Sequence, residues 1–368
     1  MNNAPASIPW WSTLKKLAAG RVPGQVVIQY TDDCNATCTH CGMSATRKFP
    51  RFKLLPEQVK PLLDRLASRG VMAVSFTGGE PLLYAEEIAS CIRHARSVGI
   101  YSVGAGTNGF FFQDSERPGF GAKVAKYASL LVESGCTNLR ISLDSAEPRT
   151  HETRRGLPGV VKGLRKGLPL FHEHGLYPAA NLCINRNILD EELRLRAAAP
   201  DAFYERAHRA FLLYFAHVLE LGFTTVNLCY PMLQAAADID GIAFSHEEKP
   251  PLYRALFDAV TFFRPKLRIF TPRSALLSMI RGQETLGFPL RAAQLPTDFK
   301  QLCRQCDWEC FRDLSHLFGP LVDAFKNPWA VARRFARDRE WSWLWAGDMR
   351  YYRACGWFHG RIPPRAHL

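Results

Sequence analysis

Three cysteines within eight residues, Cys34, Cys38 and Cys41, spaced CX3CX2C, are the side chains of this chain best placed by type and spacing to do chemistry. They follow the apolar run 26–30, so a strand delivers them together onto one loop. Closed zinc sites and ordinary iron–sulfur clusters take four protein ligands. A loop that offers three therefore suggests an iron–sulfur cubane with one iron left open to an exogenous ligand. The plainer alternative is a zinc knuckle completed by a distant residue. A second group, Cys303, Cys306 and Cys310, is spaced CX2CX3C, and 44 residues separate it from Cys355, the candidate fourth ligand. That set suits either a second cluster or structural zinc.

Other polar residues recur just after apolar runs. Gly78, Gly79 and Glu80 follow residues 72–76, where paired glycines let a backbone approach a ligand closely and a carboxylate complements an amine. Asn108 follows residues 101–105. Ser142 and Asp144 share one side of a strand by its period of two, and Asn181 and Asn185 flank residues 182–184. Asparagine and serine at such places also cap helices, so each residue alone is a weak pointer.

The elements that position these residues alternate. Apolar runs predict strands at 26–30, 72–76, 101–105, 138–143, 177–184 and 224–229. Amphipathic stretches predict helices at 56–68, 85–98, 123–134, 158–174, 206–221 and 249–263. Alternation of this kind is the signature of a parallel α/β sheet, whose functional face lies at the C-terminal ends of the strands. Every candidate side chain before residue 273 falls there. The expected organisation is an arm at 1–24, the α/β unit at 25–272, a linker with one helix at 273–300 and a cysteine-containing extension at 301–368. In that extension Asn327 and Pro328 read as a cap and first-turn proline of a basic helix running to about Arg339.

The cysteine spacing, the GGEP run and their order resemble the radical SAM superfamily, with His40 where that family commonly carries an aromatic residue. The resemblance implies a partial (β/α)6 TIM-type barrel, a [4Fe–4S] cluster on Cys34, Cys38 and Cys41, and S-adenosylmethionine (SAM) chelated to its open iron. It further implies Gly78, Gly79 and Glu80 at the SAM ammonium, and Asn108, Ser142, Asp144, Asn181 and Asn185 around the rest of SAM. Electrons would come from a reductase such as a flavodoxin or ferredoxin. Cys303, Cys306, Cys310 and Cys355 resemble an auxiliary-cluster extension, with His359 as a substitute for Cys355. The expected reaction is hydrogen abstraction by a 5′-deoxyadenosyl radical. A small metabolite is the expected substrate, because the 24-residue arm has no room for a leader-binding or cobalamin module; maturation of a peptide or protein is the second reading. A structural metal protein that docks RNA or a partner protein is the rival from another class.

Composition narrows these readings. Eleven cysteines, seven of them in two clusters, argue against a disulfide framework and for a reducing compartment. The other four, Cys91, Cys136, Cys183 and Cys229, read as small buried hydrophobes. Apolar residues make up 47% and charged residues 22%, a globular balance, and no apolar run approaches the ~20 residues of a spanning helix. Residues 1–11 lack a secretory leader pattern, which predicts a cytoplasmic protein. The net charge of +13 is spread along the chain and reaches its densest knot at Arg47, Lys48, Arg51 and Lys53. No nucleic-acid module accompanies that knot, so it reads as a solvated basic loop.

Overall fold

The computed structural model describes residues 14, 15, 18, 25–38, 41, 51–189, 199–229, 243–282, 309–356, 360, 361 and 363. Seven parallel strands form one sheet in sequence order: β1 (Gln25–Thr31), β2 (Ala73–Gly78), β3 (Ser102–Thr107), β4 (Asn138–Ser142), β5 (Ala179–Cys183), β6 (Thr225–Cys229) and β7 (Arg268–Ile269). Sequential parallel pairing requires a crossover between neighbours, and helices supply it. The helices are α1 (Pro56–Ser68), α2 (Ala85–Ser97), α3 (Phe120–Ser134), α4 (Pro148–Arg155), α5 (Val160–Glu173), α6 (Pro200–Leu221) and α7 (Lys249–Phe263). The parallel α/β sheet and its six expected strands are present. The two-residue β7 is an addition, too short for periodicity to reveal, and β1 and β7 are the two edges, so the barrel is partial.

Alternation along each strand separates two faces. Val74, Phe76, Val103, Ala105, Leu139, Ile141, Leu182 and Leu228 face the helices and belong to one large apolar core. The inner face is polar and runs in register. Gly106, Arg140, Ala179, Thr225 and Arg268 form one row, and Ser142, Asn181 and Asn227 the row above it. Cys183 and Cys229 are also in register with each other and half-buried, so the expectation that they are core hydrophobes is wrong, whereas Cys91 and Cys136 are fully buried.

Three further helices, α8 (Arg273–Ile280), α9 (Glu309–Lys326) and α10 (Pro328–Arg337), lead to the last, α11 (Arg339–Ala354). The start of the expected linker is thus a buried helix. Asn327 Oδ1 accepts the Ala330 amide at 3.0 Å, capping α10 as its sequence indicates, but this helix stops at Arg337 and Asp338 caps α11. A buried ion pair joins α11 to the ends of two helices: Arg264, which caps α7, places Nη1 2.6 Å from Asp348 Oδ1, and the amide and hydroxyl of Ser274 in α8 each donate to Oδ2 at 2.9 Å. Residues 360 and 361 clip the opposite end of the sheet from the cysteine loop. Gly360 N–H donates to Thr137 O and Tyr177 N–H to Gly360 O, both at 2.7 Å. No helix among the described residues is long and apolar enough to cross a membrane.

Candidate active site: a three-thiol loop held by its neighbours

β1 ends at Thr31 and the chain turns over the C-terminal end of the sheet, placing Cys34 in solvent and Cys38 and Cys41 half-buried. The loops that follow β2, β3 and β4 all reach this turn. From β2, the amides of Gly79 and Glu80 donate to Thr31 O at 2.6 Å and Asp33 O at 2.7 Å. A Cβ on Gly78 would lie 2.1 Å from Thr31 O, and one on Gly79 would lie 2.1 Å from Asp33 O. The glycine pair is therefore required by the close approach of the cysteine loop's own backbone, a role the sequence alone did not disclose.

From β3, Asn108 Nδ2 donates to Asn35 Oδ1 at 2.9 Å and approaches Cys34 Sγ at 3.8 Å, while its own Oδ1 accepts the Phe110 amide at 2.9 Å. The Ala36 amide points at Cys34 Sγ from 3.4 Å. Such donors favour a thiolate. From β4, the Thr37 amide donates to Arg155 O at 2.9 Å.

Glu80 is fully buried. Its Oε2 accepts the Asn108 amide at 2.6 Å and its Oε1 the Leu82 amide at 3.0 Å, which ties the loop after β2 to the loop after β3. Burial pushes its carboxyl up to about 7, against the opposing pull of those donors and of Arg155. Loops packed around its sulfur raise Cys34 by partial desolvation although the residue as a whole is exposed, and burial raises Cys38 to about 11 although the Arg155 charge pulls it down.

Asp144, at 1% exposure, accepts both arms of the Arg155 guanidinium: Nε to Oδ2 at 2.6 Å and Nη2 to Oδ1 at 2.8 Å. Ser142 lies on the inner face in register with Asn181. Asn181 Oδ1 accepts Asn227 Nδ2 at 2.6 Å and approaches Cys229 Sγ at 3.6 Å. Asn185 is a cap: its Oδ1 accepts the Asn187 amide at 2.8 Å and its Nδ2 donates to Cys183 O at 2.9 Å. Glu80, Asn108 and Asp144 thus gather at the cysteine loop. Ser142 and Asn181 lie on the inner face, and Asn185 stands apart. Arg155, Gly156 and Thr37 were missed by sequence reasoning, and so were Arg140 and Asn227 on the inner face. The run His151 to Gly156, with a glycine stop after a strand-end aspartate, was the available signal.

Among the described residues no three or more His, Cys, Asp or Glu side chains are drawn together tightly enough for a single metal ion. The charge of Cys41 raises Cys34 and, with that of Cys34, raises Cys38, so the three thiols share one neighbourhood. Cys303, Cys306 and His359 lie outside the described residues, and only the backbone of Cys310 is described, in the first turn of α9. Cys355 is 2% exposed in an apolar cluster with Phe270, Leu317, Phe318, Val322 and Tyr352. Of the basic knot, Arg51 Nη1 donates to Asp32 O, and Lys53 pairs with Glu87 at 2.8 Å.

The site is thus a parallel α/β sheet whose strand-end loops converge on a turn carrying three thiols. Residues 28–193 match the family model described as the radical SAM superfamily, and this part of the chain is a radical SAM domain. The cofactors of that superfamily are a [4Fe–4S] cluster and SAM, and its chemistry is radical-based enzyme chemistry. The chain is 25% identical over 175 residues to AdoMet-dependent heme synthase of Methanosarcina barkeri, covering 48% of this chain and 46% of that protein. It is 31% identical over 179 residues to GTP 3′,8-cyclase of Limosilactobacillus fermentum, covering 47% and 49%. The chain therefore spans about half the length of these curated relatives. A solved structure, native anSMEcpe with bound AdoMet, superposes with a TM-score of 0.49 at 14% identity, over 70% of this chain and 66% of that one.

Proposed function

We propose that the chain is a radical SAM enzyme that reductively cleaves SAM and abstracts hydrogen from a small polar metabolite bound against the inner face of the sheet. The observation that carries this reading is the convergence of three separate strand-end loops on the CX3CX2C turn. Cys34, Cys38 and Cys41 hold the cluster, which when bound supplies the electron that splits SAM into methionine and a 5′-deoxyadenosyl radical. Glu80 receives the SAM ammonium, with Gly78 and Gly79 fixing its loop. Asn108 and Asp144 orient SAM and the cysteine loop together, and Ser142 and Asn181 border the substrate side. Asn185 shapes the rim through its cap. The inner face supports a polar, anionic small molecule, because the strands carry Arg140 and Arg268 there and no carboxylate at any position.

Cys303, Cys306, Cys310 and Cys355 are assigned to an auxiliary cluster, a flavodoxin or ferredoxin to electron supply, and the cytoplasm to its place of work. Anaerobic reconstitution followed by reduction in the presence of SAM tests the central claim. The wild-type chain should bind iron and sulfide and release 5′-deoxyadenosine. The variant with Cys34, Cys38 and Cys41 all changed to Ala should lose about half its iron and all of that release; release at the wild-type rate sinks the assignment.

A further inference from the structure

The β4 side of the cysteine loop carries a device that the cofactor assignment does not require. Helix α4 ends at Arg155, and Gly156 closes it in the left-handed region at φ 65°. The last carbonyls of a helix have no partner within it. The carbonyl of Arg155 takes one from outside: the amide of Thr37, the residue before Cys38, at 2.9 Å. The loop seats directly on the glycine, since a Cβ at position 156 would lie 2.1 Å from Thr37 Oγ1. The Arg155 side chain is fixed in turn. Its guanidinium forks onto buried Asp144 at 2.6 and 2.8 Å, and the Asp144 amide donates to His151 Nδ1 at 3.2 Å, closing the turn between β4 and α4. A continuous path of short contacts therefore runs from the turn after β4 to the last residue before Cys38.

Resting on the assignment of Cys34, Cys38 and Cys41 as cluster thiols, we propose that Arg155 is a positioning residue: its carbonyl and Gly156 clamp Thr37, and its guanidinium, forked onto Asp144, holds that carbonyl in place. Arginine suits this work because its fork sets orientation.

Hydrogen exchange at the Thr37 amide in apoprotein reads the clamp. Arg155→Met, and separately Gly156→Ala, should speed exchange at Thr37 at least tenfold while leaving β2 and β3 amides unchanged. Equal exchange in the wild type and both variants overturns the clamp. Arg155→Lys, which keeps the charge but not the fork onto Asp144, should exchange as fast as Arg155→Met; exchange as slow as wild type in Arg155→Lys overturns the orienting role of the fork. In reconstituted protein, SAM affinity lost in Arg155→Met with Thr37 exchange unchanged makes Arg155 a ligand contact instead. Failure of wild type to take up a cluster sinks the cofactor reading, whereas the exchange measurement on apoprotein decides the clamp by itself.

Discussion

Glu80 makes the sharpest prediction, because its burial is complete and its hydrogen-bond partners are two backbone amides and the Thr107 hydroxyl rather than a cation. In the unfolded chain its carboxyl titrates near the usual 4.5, and in the folded apoprotein near 7. The folded state thus holds the proton more tightly. Glu80 adds its full stability below the unfolded value, and that contribution is lost as pH rises through about 7. The rise from 4.5 to about 7 corresponds to about 3 kcal/mol. Glu80→Gln keeps the shape and one acceptor oxygen but does not titrate. It leaves the Asn108 or the Leu82 amide facing an amide N–H, a pH-independent cost of about 1–3 kcal/mol. Urea unfolding of both apoproteins, repeated across this range, should show the wild-type advantage shrinking by about 3 kcal/mol from low to neutral pH. Parallel curves refute the burial argument. Under the proposed SAM role, an ammonium placed on Glu80 reverses the burial penalty, so SAM affinity in loaded wild type should fall by up to about tenfold per pH unit below 7 and stay flat in Glu80→Gln.

Two further substitutions test the scaffold. Gly79→Ala puts a Cβ 2.1 Å from Asp33 O and 2.8 Å from Asp32 O, so it should cost about 1–3 kcal/mol in denaturant unfolding and loosen cluster retention. Gly106→Ala, whose Cβ meets nothing within 4 Å, is the control and should be neutral or slightly stabilising; equal costs at the two sites refute the backbone-contact argument. Asp348→Ala leaves Arg264 buried without its carboxylate and should cost about 3–5 kcal/mol, with residues after 309 cut earlier in limited proteolysis. An unchanged digestion pattern would show that the ion pair does not hold α11 to α7 and α8.

The amino-acid sequence determined the local features. Apolar runs placed six of the strands, and the helices at 56–68 and 249–263 appear at their expected bounds, because the apolar pattern is a property of each segment alone. CX3CX2C placed three thiols on one loop for the same reason: eight residues cannot spread far. The tertiary structure decided what those thiols meet. Paired glycines have the same sequence signature whether the approaching backbone is a ligand's neighbour or Asp33, and only the pairing of β1 with β2 shows that it is Asp33. Asp144 looks free in sequence, yet Arg155, eleven residues on, folds back across an eight-residue helix to occupy it. The polar inner face was equally hidden, since Arg140, Asn181 and Asn227 come from three strands and become neighbours only through register. Spacing along the chain sets which residues share an element. Which elements share a site depends on non-local pairing, and that pairing is fixed by burying all the apolar faces at once.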